Sequence, residues 1–146
     1  MSKGNTFEND LLLLIFNNTD IADIGDASGL QNSATAGSLY VALHTGDPGE
    51  GGNATTSESA YGSYARQAVA RSGAGWTVSG NSVSNTALVQ FPECTSGSET
   101  ISHVSITTAS SGTSKLLYKG ALTASRSVSS GIQPQFAIGA LSVTED

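Results

Sequence analysis

Hydrophobic residues along the chain fall first in one dense block and afterwards only in short runs. The block, LLLLIF from Leu11 to Phe16, lies inside a helical pattern. Asn5 can cap that helix with Glu8 three positions on, Asp10 lies in the dipole-favoured first turns, and NNTD from Asn17 supplies breakers, so the pattern predicts a helix from Thr6 to Asn17. One stripe, Phe7, Leu11, Leu14 and Ile15, is enough to seat such a helix on its own domain. Leu12, Leu13 and Phe16 extend the apolar surface well past it. Leaving two or three such side chains in water forgoes roughly 1.5 to 3 kcal/mol each, so the excess needs a second cover. Either a partner lies over that face, or the helix is wedged inside its own fold. On the first arrangement the association element is the segment Met1 to Asn17, with Phe7, Leu11, Leu12, Leu13, Leu14, Ile15 and Phe16 as its contact residues.

Beyond a polar loop from Asp20 to Ser38, apolar or alternating runs are separated by turn residues, which is the pattern of strands. Strands are predicted at Leu39 to His44, Tyr64 to Arg71, Trp76 to Val78, Ser82 to Ser84, Ala87 to Phe91, Ile101 to Thr107, Lys115 to Leu122 and Phe136 to Val143. In the run ISHVSIT, Val104 and Ile106 share one face, and Ile101 falls opposite them unless a bulge intervenes. WTVSGNSVS reads as a hairpin turning at Ser79, Gly80 and Asn81. Seven or eight short strands at this spacing imply an all-β fold, a β-sandwich with jelly-roll connectivity leading and one short N-terminal helix. The expected organisation is an arm over residues 1–38 and a sandwich over 39–146, within a single structural unit. No repeat or heptad appears, so a fibre shaft is not expected in this chain.

Composition narrows the function. The 146 residues fit one modest core. Only 12% are charged, about half the usual share, with Ser, Thr and Gly filling the polar positions. A net charge of -6 from six cations scattered along the chain argues against nucleic acid, whose phosphates call for clustered Lys and Arg. The apolar block is six residues long and follows Glu8 and Asp10, so it reads as neither a signal peptide nor a membrane span. Cys94 is the single cysteine; it cannot form an intramolecular disulfide and is expected as a small buried hydrophobe.

The densest candidate for chemistry is HTGDPGEGG, His44 to Gly52. Pro48 presets a turn, Asp47 can accept backbone N–H groups and the glycines supply permissive backbone, which explains the segment as a turn. Calcium needs more oxygen ligands at alternate positions than Asp47 and Glu50 offer, and zinc would have only His44, His103 and Cys94. No metal or cofactor is expected. Catalysis by a nucleophile requires Ser or Cys beside a His that a carboxylate orients. GDASG, Gly25 to Gly29, is a chance likeness to a serine-protease motif, and no catalytic residue is expected. His103 reads as a half-exposed cross-strand residue, and His44 likewise. Arg66 and Arg71 read as solvated strand charges or as anchors for an acidic partner, and Tyr61, Tyr64 and Trp76 as strand packing or sugar-stacking groups.

Taken as a series, MSKGNTFENDLLLLIFN, LYVALHTGDPGEGGNATTSE, YARQAVARSGAGWTVSGNSVSN, FPECTSGSETISHVSI and FAIGALSVTED resemble a family of small tailed-bacteriophage virion proteins, the capsid cement or decoration proteins, among which many similar sequences carry the label of tail fibre protein. The resemblance runs over nearly the whole chain and is strongest from Leu39 to Ile106. It implies a jelly-roll β-sandwich that self-associates on the outer capsid surface, pinning neighbouring major capsid protein subunits, after assembly in the host cytoplasm. No active site, nucleic-acid partner or membrane is implied. From the residues, a homo-oligomer is expected, a dimer before a trimer. The alternative is a tail fibre or receptor-binding module recognising host glycans.

Overall fold

A computed structural model describes residues 1–146. The chain forms one helix, α1 (Asn5–Asn17), and nine strands: β1 (Ser38–His44), β2 (Gln67–Ala70), β3 (Trp76–Ser79), β4 (Ser82–Asn85), β5 (Val89–Gln90), β6 (Ser98–Thr107), β7 (Leu116–Ser129), β8 (Gln135–Phe136) and β9 (Ser142–Thr144). The fold is all-β and sandwich-like with one short N-terminal helix. Its sheets have the strand orders β2-β1-β6-β7, β3-β4-β9 and β5-β8. This division into four, three and two strands differs from the two four-stranded sheets that jelly-roll connectivity builds.

Two compact units divide the chain. One comprises Met1–Ser38, Val69–Leu88 and Phe136–Asp146; the other comprises Leu39–Ala68 and Val89–Gln135.

In the first, helix-bearing unit, α1 packs against β3 and β4. The side chains α1 buries are Glu8, Leu12 and Phe16, spaced four apart. This reverses the stripe expected from the sequence, since Phe7 is exposed and Leu11, Leu14 and Ile15 are half-buried. Trp76 on β3 accounts for the choice: it and Phe16 are both fully buried and meet edge to face with ring centroids 4.9 Å apart. Asn5 begins the helix and does not cap it; Gly4 is the cap, with no side-chain bond. At the far end Asn18 takes the left-handed conformation, φ 56°, and Arg71 supplies the last-turn cation that the helix itself lacks. Its Nε donates to the Ile15 carbonyl and its Nη2 to the Leu14 carbonyl, both at 2.7 Å, and its Nη1 to the Ala36 carbonyl at 3.1 Å. Arg71 is thus a bound helix cap, neither of the roles the sequence suggested. The β3–β4 hairpin pairs Ser79 with Ser82 across a two-residue loop. Gly80 has φ 60° there, the backbone a II′ turn requires at its first loop position.

In the second unit β1 is central, and Val41, Ala42, Leu43 and His44 are all buried, which is why the run lacks a polar-out alternation. β6 lies beside it, pairing Val41 with Ile106 and His44 with His103. The bulge that ISHVSIT left open is present: the β6–β7 register shifts between Ile101 and His103, and Ile101, Val104 and Ile106 are all buried. The shift is large on β7, where Ile101 pairs with Arg126 and His103 with Ala121, so residues 122–125 leave the ladder. Tyr64 stacks on Phe91 and meets Tyr61 edge to face, so these two tyrosines serve as packing. Cys94 is buried and unpaired.

Candidate functional site

The segment from His44 to Gly52 leads from the end of β1 into a turn. Asp47 Oδ1 accepts the Gly49 N–H at 2.9 Å and the Lys119 ammonium at 2.9 Å, while Pro48 is buried. Those two donors, the Gly49 N–H first, hold the Asp47 carboxyl below its ordinary range. Glu50 is exposed. HTGDPGEGG is therefore turn chemistry with one surface ion pair. GDASG resolves the same way: Asp26 Oδ1 accepts the Ser28 and Gly29 N–H groups, and Gly29, φ 62°, closes against the Ile21 carbonyl, which an added Cβ would approach to 1.8 Å.

His44 is fully buried. The Thr56 carbonyl can only accept, so Nδ1–H donates to it at 2.9 Å and Nε2 is left to accept the Ser105 hydroxyl at 2.7 Å. Burial foremost pushes the imidazole pKa down, so the neutral ring is the one that fits. This is a serine–histidine contact that sequence reading missed, because Ser105 is one of many serines. The position that a carboxylate holds in a catalytic triad is here a backbone carbonyl, and Ser105, 1% exposed, is sealed away from solvent.

Beside it lies a polar cluster centred on Arg66. Nε donates to Glu58 Oε1 at 2.6 Å and Nη2 to Oε2 at 2.8 Å; the other three N–H groups reach the Ala109 carbonyl (3.0 Å), the Ser114 hydroxyl (3.1 Å) and the Gly112 carbonyl (2.8 Å). All five donors are used. The Glu58 hydrogen bonds raise the Arg66 pKa further. Tyr64 donates its hydroxyl to Glu58 at 3.1 Å and accepts the Leu43 N–H at 3.0 Å, and burial drives its phenol pKa well up. Arg66 is 7% exposed, neither a solvated strand charge nor an anchor for an outside partner. The signal for this pairing was available: in a chain with so few charges, Glu58 stands isolated among hydroxyls eight residues before Arg66.

A second carboxylate acts alike, Glu99 accepting from the Ser59 hydroxyl and from the Ala60 and Tyr61 N–H groups. Burial pushes the Tyr61 phenol to about 12, and it donates to the Pro92 carbonyl at 2.9 Å. His103 is half-buried, its Nδ1 2.9 Å from the Ser102 hydroxyl, and no three His, Cys, Asp or Glu side chains converge as metal ligands. Of the expected association residues, Leu12 and Phe16 are sunk in the core of the helix-bearing unit. Phe7 is 39% exposed, and Leu11, Leu13, Leu14 and Ile15 are half-buried.

Glu58, Arg66 and Glu99 of the second unit thus brace loops. Residues 4–144 match the family model described as podophage GP4 fiber I protein gp80. The chain belongs to this family. No curated protein matches it. Membership makes it a phage structural protein, in agreement with the virion character that the sequence motifs resemble. No helix is long and apolar enough to cross a membrane.

Proposed function

We propose that the chain is a subunit of a phage virion fibre that works by association and carries out no bond-making step. The observation that carries the reading is the family match over residues 4–144. The internal saturation of Arg66, Arg71, Glu58 and His44 supports it, because these groups rigidify the fold. The molecule offers a partner surface: half-buried leucines on α1 and one long open strand, β7. Homo-oligomerisation is part of the proposal. The test is location and copy number in the virion. Gold-labelled antibody on the tail region, with tens of copies per particle by gel densitometry, is the expected result; hundreds of copies spread over the head would overturn it.

The second reading, an outer-capsid cement that pins major capsid protein subunits, draws on the half-covered side of α1, where Phe7, Leu11, Leu14 and Ile15 remain partly open. Removing residues 1–17 is not a clean test of this, because Leu12 and Phe16 belong to the core. Phe7→Asp with Leu14→Asp is cleaner. If cementing is the function, this variant folds but leaves capsids uncoated; full occupancy would exclude it.

A further inference from the structure

β7 is the longest strand of the molecule, at 14 residues, and it ends its sheet. Its inner side pairs with β6, whereas its outer side meets no other strand. Such an edge presents a row of free N–H and C=O groups and is ordinarily blunted by shortness, proline or charge. β7 has no proline, but its register with β6 shifts at Leu117 as well as at residues 122–125, which leaves Tyr118 to Ala121 as its regular part beside the half-buried Leu116 and Leu117.

Charge decides what can lie against it. No Asp or Glu occurs between Glu99 and Glu145, and in that interval stand three of the six cations: Lys115, Lys119 and Arg126. Lys119 is held by Asp47 at 2.9 Å, so two β7 edges side by side would gather four further cations, Lys115 and Arg126 of each copy; a second β7 is disfavoured and an acidic strand edge fits. The chain itself provides one. The helix-bearing unit holds seven carboxylates against Lys3 and Arg71, a net charge of -5, and its three-stranded sheet ends in β9, whose outer side pairs with no strand and which runs into Glu145, bound to Lys3 at 3.2 Å, and the exposed Asp146.

We propose that the β7 edge of one copy pairs with the β9 edge of a second copy, head to tail. The proposal deepens the association reading above and rests on it. A contact between two different patches repeats without using itself up, so it generates a ring or an open filament. A three-residue strand forms a weak joint, and many such joints add by avidity.

The test uses the full chain. Leu117→Cys and Val143→Cys are made in separate proteins, mixed and mildly oxidised; Cys94, fully buried, stays silent. The expected product is the mixed 117–143 cross-link, formed well above either self-cross-link. Sedimentation equilibrium reads the electrostatic part. Lys115→Glu with Arg126→Glu, both at exposed positions, is expected to weaken association roughly tenfold, and Asp146→Lys in the same chain to recover much of it. A dominant 117–117 cross-link would overturn the proposal in favour of two-fold pairing. Sedimentation of the unaltered protein as a monomer at all concentrations would overturn self-association altogether. Virion labelling is a separate measurement, so a capsid location would sink the fibre reading and leave this joint standing.

Discussion

The two units are stabilised in contrasting ways. In the helix-bearing unit an aromatic contact, Phe16 on Trp76, organises the interior, Glu8 is buried on α1, and one half-buried arginine caps that helix. Six of the seven large hydrophobics left exposed in the chain, Met1, Phe7, Ile24, Leu30, Leu88 and Ile138, also fall in this unit. In the other unit the apolar core of Val41, Ile101, Ile106 and Phe91 is fastened by a saturated polar cluster, Glu58–Arg66–Tyr64 with His44–Ser105 alongside. Of the nine charged side chains in the second unit, Glu58, Arg66 and Glu99 are spent on internal bracing. What remains for partners is apolar on one unit and a bare strand edge on the other.

Phe16→Ala should strike hardest, costing about 4 kcal/mol through the cavity left beside Trp76. Urea unfolding followed by site-resolved hydrogen exchange should show protection lost first over α1, β3 and β4; uniform loss over both units would show that they unfold together. Arg66→Met comes next, at about 3 kcal/mol, because it strands Glu58 without its counter-charge. Adding Glu58→Gln should return most of that loss, and a double variant no better than the single would show that the hydrogen bonds to residues 109–114 matter more than the pair. Arg71→Met should cost about 2 kcal/mol, since three backbone carbonyls lose a charged donor, and its effect on exchange should stay within the helix-bearing unit.

Gly80→Ala should cost about 1 kcal/mol by forcing a side chain into the left-handed region. The smallest effect is a pH drift. His44 titrates below its ordinary 6.5 in the folded protein, so between its folded pKa and 6.5 the unfolded chain binds a proton that the folded chain does not. Its contribution is therefore complete above about pH 6.5 and is lost as pH falls from there, with a slope of at most about 1.4 kcal/mol per pH unit. Thermal melts in a pH series should show this slope in the native protein and its absence in His44→Gln.

Much of this was legible in the residues. The helix, the β1 run and the SGN hairpin all lie where local pattern dominates, whereas the bulge at Ile101 was left open, since alternation alone sets Ile101 opposite Val104 and Ile106. Phe136 to Val143 read as one strand but forms two short pieces, because Gly139 turns the chain there with φ 74°. β7 read as ending at Leu122 yet continues to Ser129, past the four residues that step out of its ladder. The inward stripe of α1 was misread for a different reason: periodicity gives a face, but which face is buried depends on Trp76, sixty residues away. Arg71 was misread because its partners, the carbonyls of Leu14, Ile15 and Ala36, carry no sequence signal, whereas Arg66 was misread although Glu58 stood eight residues before it.

The step out of register on β7 has an evolutionary corollary. Leu122, Thr123, Ala124 and Ser125 hang outside the hydrogen-bonded rows, so length and chemistry there can change while the flanking pairs keep their places. A short peptide inserted between Thr123 and Ala124 should be carried without moving His103 from Ala121 or Ile101 from Arg126. That would make this kink the natural place for related chains to diversify and for an experimenter to attach a label.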